Sequence, residues 1–108
     1  MKRGDLVTIA LSGDYGKPRP ALVVQSDDFD ATDSVTLLLI TSTLRDASYL
    51  RINIEPTEIN GLRKPSQVQI DRLMSTRRDR VGAVFGTVGA KLMLDVDRQL
   101  LAFLGLVR

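Results

Sequence analysis

Gly16-Lys17-Pro18-Arg19-Pro20-Ala21-Leu22-Val23-Val24-Gln25 is the stretch on which the reading of this chain turns. Each proline fixes its own φ at about −65° and drives the residue before it toward extended backbone. Lys17 and Arg19 are therefore expected to be extended, with the chain entering a strand at Pro20 or Ala21. A proline cannot donate to a sheet ladder, so Pro20 suits the first position of a strand. Two readings of Arg19 compete. One is a solvated arginine at a loop-to-strand entry. The other is a guanidinium held on a stiff backbone at the rim of a sheet, aimed at an anion.

The bulk composition narrows the setting. A chain of 108 residues forms one domain, residues 1–108, able to bury roughly 60% or more of its unfolded surface. Hydrophobic residues make up 44% and charged residues 26%, which fits a globular protein and argues against disorder. The net charge is only +2, so nucleic-acid binding would need a local basic patch. There is no cysteine and no histidine. A thiolate nucleophile and a disulfide framework are excluded, and a zinc site would rest on carboxylates alone. Acid–base chemistry without histidine falls to Arg, Lys, Asp, Glu or Tyr. The N-terminus lacks the apolar region of a signal peptide, and no apolar run reaches transmembrane length. A cytoplasmic protein is expected.

Outward from the proline pair, the pattern is mainly β. Leu6 to Leu11 reads as a strand, and Ser12 to Gly16 as a turn cluster leading into Lys17. Ser26 to Ser34 carries Asp27, Asp28, Asp30 and Asp33, but lacks the glycine and terminal glutamate of an EF-hand loop. A solvated loop or one helical turn is the expectation there. Val35 to Ile40 is continuously apolar, as in a central strand buried on both faces. It runs directly into Thr41, Ser42 and Thr43. Tyr49 to Glu55 alternates, with Leu50, Ile52 and Ile54 on one face, and Asn60-Gly61 marks a turn. Ser66 to Leu73 alternates again: Val68 and Ile70 point inward while Gln67, Gln69 and Asp71 share the other face. Such a row can read base edges, and it is also what any exposed sheet face looks like. Arg72, Arg77, Arg78 and Arg80 supply a local basic cluster. Val81 to Val88, with Gly82 and Gly86, reads as a kinked strand. From Gly89 to Leu104 the spacing turns helical: Leu92, Val96, Leu100 and Leu104 form one stripe, broadened by Met93, Leu101 and Phe103. This apolar face is wide enough to reach into a subunit interface. The expected architecture is five or six short antiparallel strands curled into a small barrel, with a C-terminal helix.

These segments together resemble the MazF/PemK family of toxins from bacterial toxin–antitoxin pairs. The matching pieces are RGDLV at 3–7, GKPRPALVVQ at 16–25, LLLITST at 37–43 and KPSQVQIDRL at 64–73. They are followed by RDRVG at 78–82, FGTV at 85–88 and a closing helix ending LLAFLGL at 100–106. The resemblance implies an SH3-like antiparallel barrel of the CcdB/MazF type, acting as a homodimer. It implies an endoribonuclease that cuts single-stranded RNA without metal or other cofactor. The family's catalytic arginine and threonine fall on Arg19 and Thr41, and Asp14 occupies the place of a first-loop carboxylate, a candidate base. Lys17, Ser42, Lys64, Ser66, Gln67 and Gln69 are the candidate RNA-binding residues. Where some members carry an arginine and an acidic residue before the glutamine of the fifth strand, this chain has Lys64, Pro65 and Ser66. The partner implied is a cognate antitoxin that competes for the groove through an acidic, disordered tail. No membrane partner is implied.

Residues of these kinds suit such chemistry. RNA carries its own nucleophile, the 2′-hydroxyl, so a protein need only align it, stabilise added negative charge and help the 5′-oxygen leave. A guanidinium pairs with phosphate oxygens and stays charged at pH 7. The products would be a 2′,3′-cyclic phosphate and a 5′-hydroxyl, and DNA would not be cut. Aromatic residues are only 5% of the chain, with Tyr15 and Phe29 the exposed ones expected, so recognition rests on hydrogen bonds. Two rival readings remain at this point. One is a barrel toxin that poisons DNA gyrase, although that relative depends on a C-terminal tryptophan that this chain lacks. The other is a binding module with no catalysis.

Overall fold

The two prolines do not delay the second strand. In the computed structural model, which describes residues 1–11 and 17–107, β1 spans Asp5–Ala10 and β2 spans Pro18–Val23. Asp14 and Tyr15 lie outside the described residues. Strand β2 therefore begins two or three residues earlier than the sequence suggests. From Pro18 to Pro20 it pairs with β1 alone (Ala10 opposite Pro18, Thr8 opposite Pro20), and β3 joins only from Ala21 onward. A one-sided stretch of strand tolerates a missing donor, which is why both rings fit there.

A 3₁₀ turn at Asp27–Phe29, opened by the Ser26 hydroxyl accepting from the Asp28 N–H, leads to β3 (Ser34–Thr41). Then come β4 (Arg51–Ile54), β5 (Ser66–Arg77), a 3₁₀ turn at Arg78–Arg80, β6 (Val81–Thr87) and helix α1 (Ala90–Phe103). The strands form one antiparallel sheet in the order β4-β5-β3-β2-β1-β6. The mainly β fold with a C-terminal helix is as expected, apart from closure of the barrel. The sheet is open, and β4 and β6 do not pair. The turn after β4 meets the end of β6 instead, through the Thr87 N–H donating to the Ile59 carbonyl. Gly86 makes that approach possible, since a Cβ there would lie 2.1 Å from the Asn60 carbonyl oxygen. Gly61, at φ +68°, completes the Asn60-Gly61 turn, and the buried Asn60 side chain ties it down by accepting from Thr57 and Leu62 N–H groups and donating to the Glu55 carbonyl.

Strand alternation sorts the apolar residues onto two faces. Leu6, Leu22, Leu38, Ile40, Ile52, Ile54, Val68 and Ile70 pack with Met93 and Val96 of the helix. Val7, Ile9, Ala21, Val23, Val35 and Leu37 form a second cluster on the face turned away from α1. The helix uses less of its apolar surface than its pattern suggests: Leu94, Leu101, Phe103 and Leu104 stay exposed. Among the described residues, no helix is long and apolar enough to cross a membrane.

Strand β5 carries the main irregularity of the sheet. Leu73 lies opposite Leu38 and Val68 opposite Ile40, so β3 advances two residues while β5 advances five. The three extra residues throw Gln69 to Arg72 out of the β3 ladder, while Gln69 stays paired with Arg51 of β4. A bulge of this kind bends the strand and re-aims its side chains.

Candidate active-site cleft

The register between β2 and β3 sets the geometry of the site. Ala21 is the residue opposite Leu39, so a ladder continued in the same register would put Arg19 opposite Thr41. It does not continue, because Pro20 has no N–H to offer, and β3 turns to Val68 and Gln67 of β5. Arg19 and Thr41 therefore share a sheet face, each two residues beyond a paired position, with the strands parted between them. The space is a cleft of about 280 Å³ lined by Leu11, Arg19, Leu39, Ile40, Thr41, Gln69 and Arg72. Gln69 and Arg72 come from the two ends of the β5 bulge. A second cleft of about 240 Å³ shares Gln69 and Arg72 and adds Arg45, Tyr49, Arg51 and Asp71. Four arginines against one carboxylate make the connected surface basic. That is the local patch an anionic chain would need.

The expected basic cluster divides between two ends of the molecule. Arg72 faces the clefts, whereas Arg78 donates to the Thr32 and Phe29 carbonyls and Arg77 pairs with Asp79. Arg78 thereby holds the 29–34 segment at the far end of β5.

The other candidate residues have different fates. Lys17 and Ser42 are exposed, one ahead of β2 and one directly after Thr41. Lys64 is exposed but lines neither cleft. Ser66 is buried, its hydroxyl donating to the Lys64 carbonyl. Gln67 is 5% exposed and both ends of its amide are engaged. Its oxygen accepts from the Arg45 N–H and the Arg51 guanidinium, and its nitrogen donates to the Arg45 carbonyl and Asn53. Ser66 thus serves the turn ahead of β5 and Gln67 the segment between β3 and β4, and both are buried away from solvent. Gln69 does reach the cleft. Thr41 Oγ1 accepts the Thr43 N–H at 3.0 Å, which fixes the hydroxyl and leaves its proton to donate. Among the described residues no three acidic side chains converge as metal ligands would.

Sequence reasoning missed Arg45, Arg51 and Tyr49 as cleft residues. Tyr49 is 76% exposed, more than Phe29, and stands beside the second cleft as a surface on which a base can stack. The alternation from Tyr49 to Glu55 does set Tyr49 on the face of Arg51, opposite Leu50, but it does not say that a cleft opens beside that face.

The open antiparallel sheet with one C-terminal helix is a fold that this chain shares with solved structures. An endoribonuclease in complex with its cognate antitoxin, from mycobacterial species, superposes with a TM-score of 0.84 at 22% identity, covering 100% of this chain and 98% of that one. A MazE–MazF structure from Deinococcus radiodurans gives 0.78 at 23% identity, covering 97% and 95%. In sequence, residues 2–104 match the family described as PemK-like, MazF-like toxin of type II toxin–antitoxin system. The chain is also 45% identical over 107 residues to a probable endoribonuclease MazF of Mycolicibacterium smegmatis, spanning 98% of each. The chain belongs to the PemK/MazF toxin family.

Proposed function

We propose that this toxin is a metal-independent endoribonuclease of single-stranded RNA, working in the cleft between β2 and β3. The observation that carries the proposal is the shared cleft of Arg19 and Thr41, with Gln69 and Arg72 on its other wall. The relative from M. smegmatis, named a probable endoribonuclease, supports the same activity. Arg19 stabilises the charge that builds on the scissile phosphate, and Thr41 donates to a non-bridging oxygen or orients the 2′-hydroxyl. Attack of the 2′-oxygen on phosphorus breaks the bond to the 5′-oxygen, which leaves with a proton. Asp14 is the candidate base. Lys17, Ser42, Lys64 and Arg72 are the candidates to hold neighbouring phosphates.

The chain lacks histidine and cysteine, and the 2′-hydroxyl removes the need for an activated water, so no metal is required. The exposed apolar residues Leu94 and Leu101 of α1 and Leu104 just beyond it support a homodimer. Solved relatives bound to antitoxins support an antitoxin partner, which we infer docks an acidic disordered tail on the basic clefts. The test is incubation of the purified protein with a long single-stranded RNA, with both new ends characterised. The expected products are a 2′,3′-cyclic phosphate and a 5′-hydroxyl, formed equally in excess EDTA. Loss of cleavage on chelation, or 5′-phosphate ends, would refute the mechanism.

A further inference from the structure

Arg51 lies on β4, behind the cleft, and three of its contacts converge on the residues that shape it. Its guanidinium donates to the Thr43 carbonyl at 2.8 Å and to Gln67 Oε1 at 2.9 Å. A longer bond, 3.4 Å, runs from its other terminal nitrogen to Gln69 Oε1. The first two bonds fix the guanidinium, and the third has a directional consequence. An arginine only donates, so the amide atom of Gln69 that faces it is the oxygen. The amide nitrogen, with its two N–H donors, is left on the other side.

The remaining polar side chains of the cleft have the same bias. Arg19 and Arg72 carry no acceptor. The Thr41 oxygen already accepts the Thr43 N–H, which leaves a single lone pair beside a free O–H. Among the described residues lining the Arg19–Thr41 cleft, side-chain donors therefore far outnumber side-chain acceptors. Phosphate oxygens suit such a surface, and so does a base with a carbonyl oxygen. Adenine is the one RNA base without a carbonyl, and both its pairing edges place the N6 amine beside the ring acceptor. Seated against the Gln69 amide nitrogen, which the Arg51 bond to the oxygen turns away from Arg51, that amine would meet a donor and stay unpaired, and a site built for hydrogen bonding discriminates against an unpaired group.

We propose that Arg51 and Gln69 form a specificity device for the nuclease: Arg51 holds the amide oxygen, and the amide donors so presented reject adenine at one of the two nucleotides flanking the scissile phosphate. The position follows from Gln69 sharing a cleft with Arg19 and Thr41. Arg51 is a positioning residue here, acting on the base only through Gln69. The inference rests on the endoribonuclease reading above.

The test uses single-stranded oligonucleotides carrying the mapped cleavage sequence, with each flanking nucleotide changed in turn to adenosine and to inosine. Inosine differs from adenosine by having a carbonyl at C6 in place of the amine. At one flanking position the parent protein is expected to cut the inosine substrate at least about tenfold faster than the adenosine one. Q69E, nearly isosteric and able only to accept, removes or reverses that preference. R51A weakens it, because the freed amide can turn round. Equal rates for adenosine and inosine at both positions would overturn the inference while leaving the nuclease reading intact. So would a Q69E variant that slows all substrates alike with the preference unchanged. If the parent protein cuts no RNA at all, both readings fall.

Discussion

Gln67 and Gln69 stand two residues apart on one strand and, by alternation, on one face, yet they serve different ends. Gln67 sits under the segment that joins β3 to β4, bonded twice to Arg45 within it and once each to Arg51 and Asn53 of β4. Gln69 is left at the cleft, its side chain tethered among the described residues by Arg51 alone. Alternation identifies the face but cannot say which part of that face a loop will cover, so the pair looks equivalent in sequence. Removing a buried, fully paired amide leaves its partners without bonds, at roughly 1–3 kcal/mol. Q67A is accordingly expected to lower the unfolding midpoint by on the order of 10 °C, read by a thermal melt. Q69A, with one long bond to lose, should melt within a few degrees of the parent. A Q67A midpoint equal to the parent's would show that the Gln67 network contributes little.

At the scale of elements, most of the fold is legible because the patterns are strong. The apolar run of β3, the alternation of β4 and the stripe of α1 each declare their period. The second strand begins early because the sequence rule for proline concerns donors, whereas the structure leaves that stretch with only one neighbour. The β5 bulge is not legible at all. Its residues continue the alternation of Gln67 to Asp71, and only the register with β3 reveals the three extra positions. That bulge is what brings Arg72 and Gln69 to the cleft, so the cleft's far wall is hidden from the sequence while its near wall, Arg19 and Thr41, is not. The open sheet has a similar cause: closure depends on whether β4 and β6 meet, and the glycines that mark β6 do not say what approaches them. Gly86 carries the contact instead. G86A would push a methyl group into the Asn60 backbone, and a cost of at least about 2 kcal/mol is expected, measured by denaturant unfolding. A stability unchanged from the parent would mean that the turn after β4 shifts freely and does not tie the sheet edges together.

The molecule as a whole brings together two strand ends that the chain separates by more than twenty residues, and a third strand that bends to face them. Its basic surface is local, which reconciles a net charge of only +2 with an anionic substrate: Arg19, Arg45, Arg51 and Arg72 gather around the two clefts while Arg77 and Arg78 serve the opposite end. Parts that act on one phosphate should act as a unit, so their removal is expected to be non-additive. The decisive measurement is the single-turnover cleavage rate of one mapped RNA by the parent, R19A, T41V and the double variant, each with its thermal melt. The account predicts that each single change lowers the rate at least about a hundredfold with the fold retained, and that the double variant is little slower than the worse single one. An R19A protein that cuts as fast as the parent would contradict it.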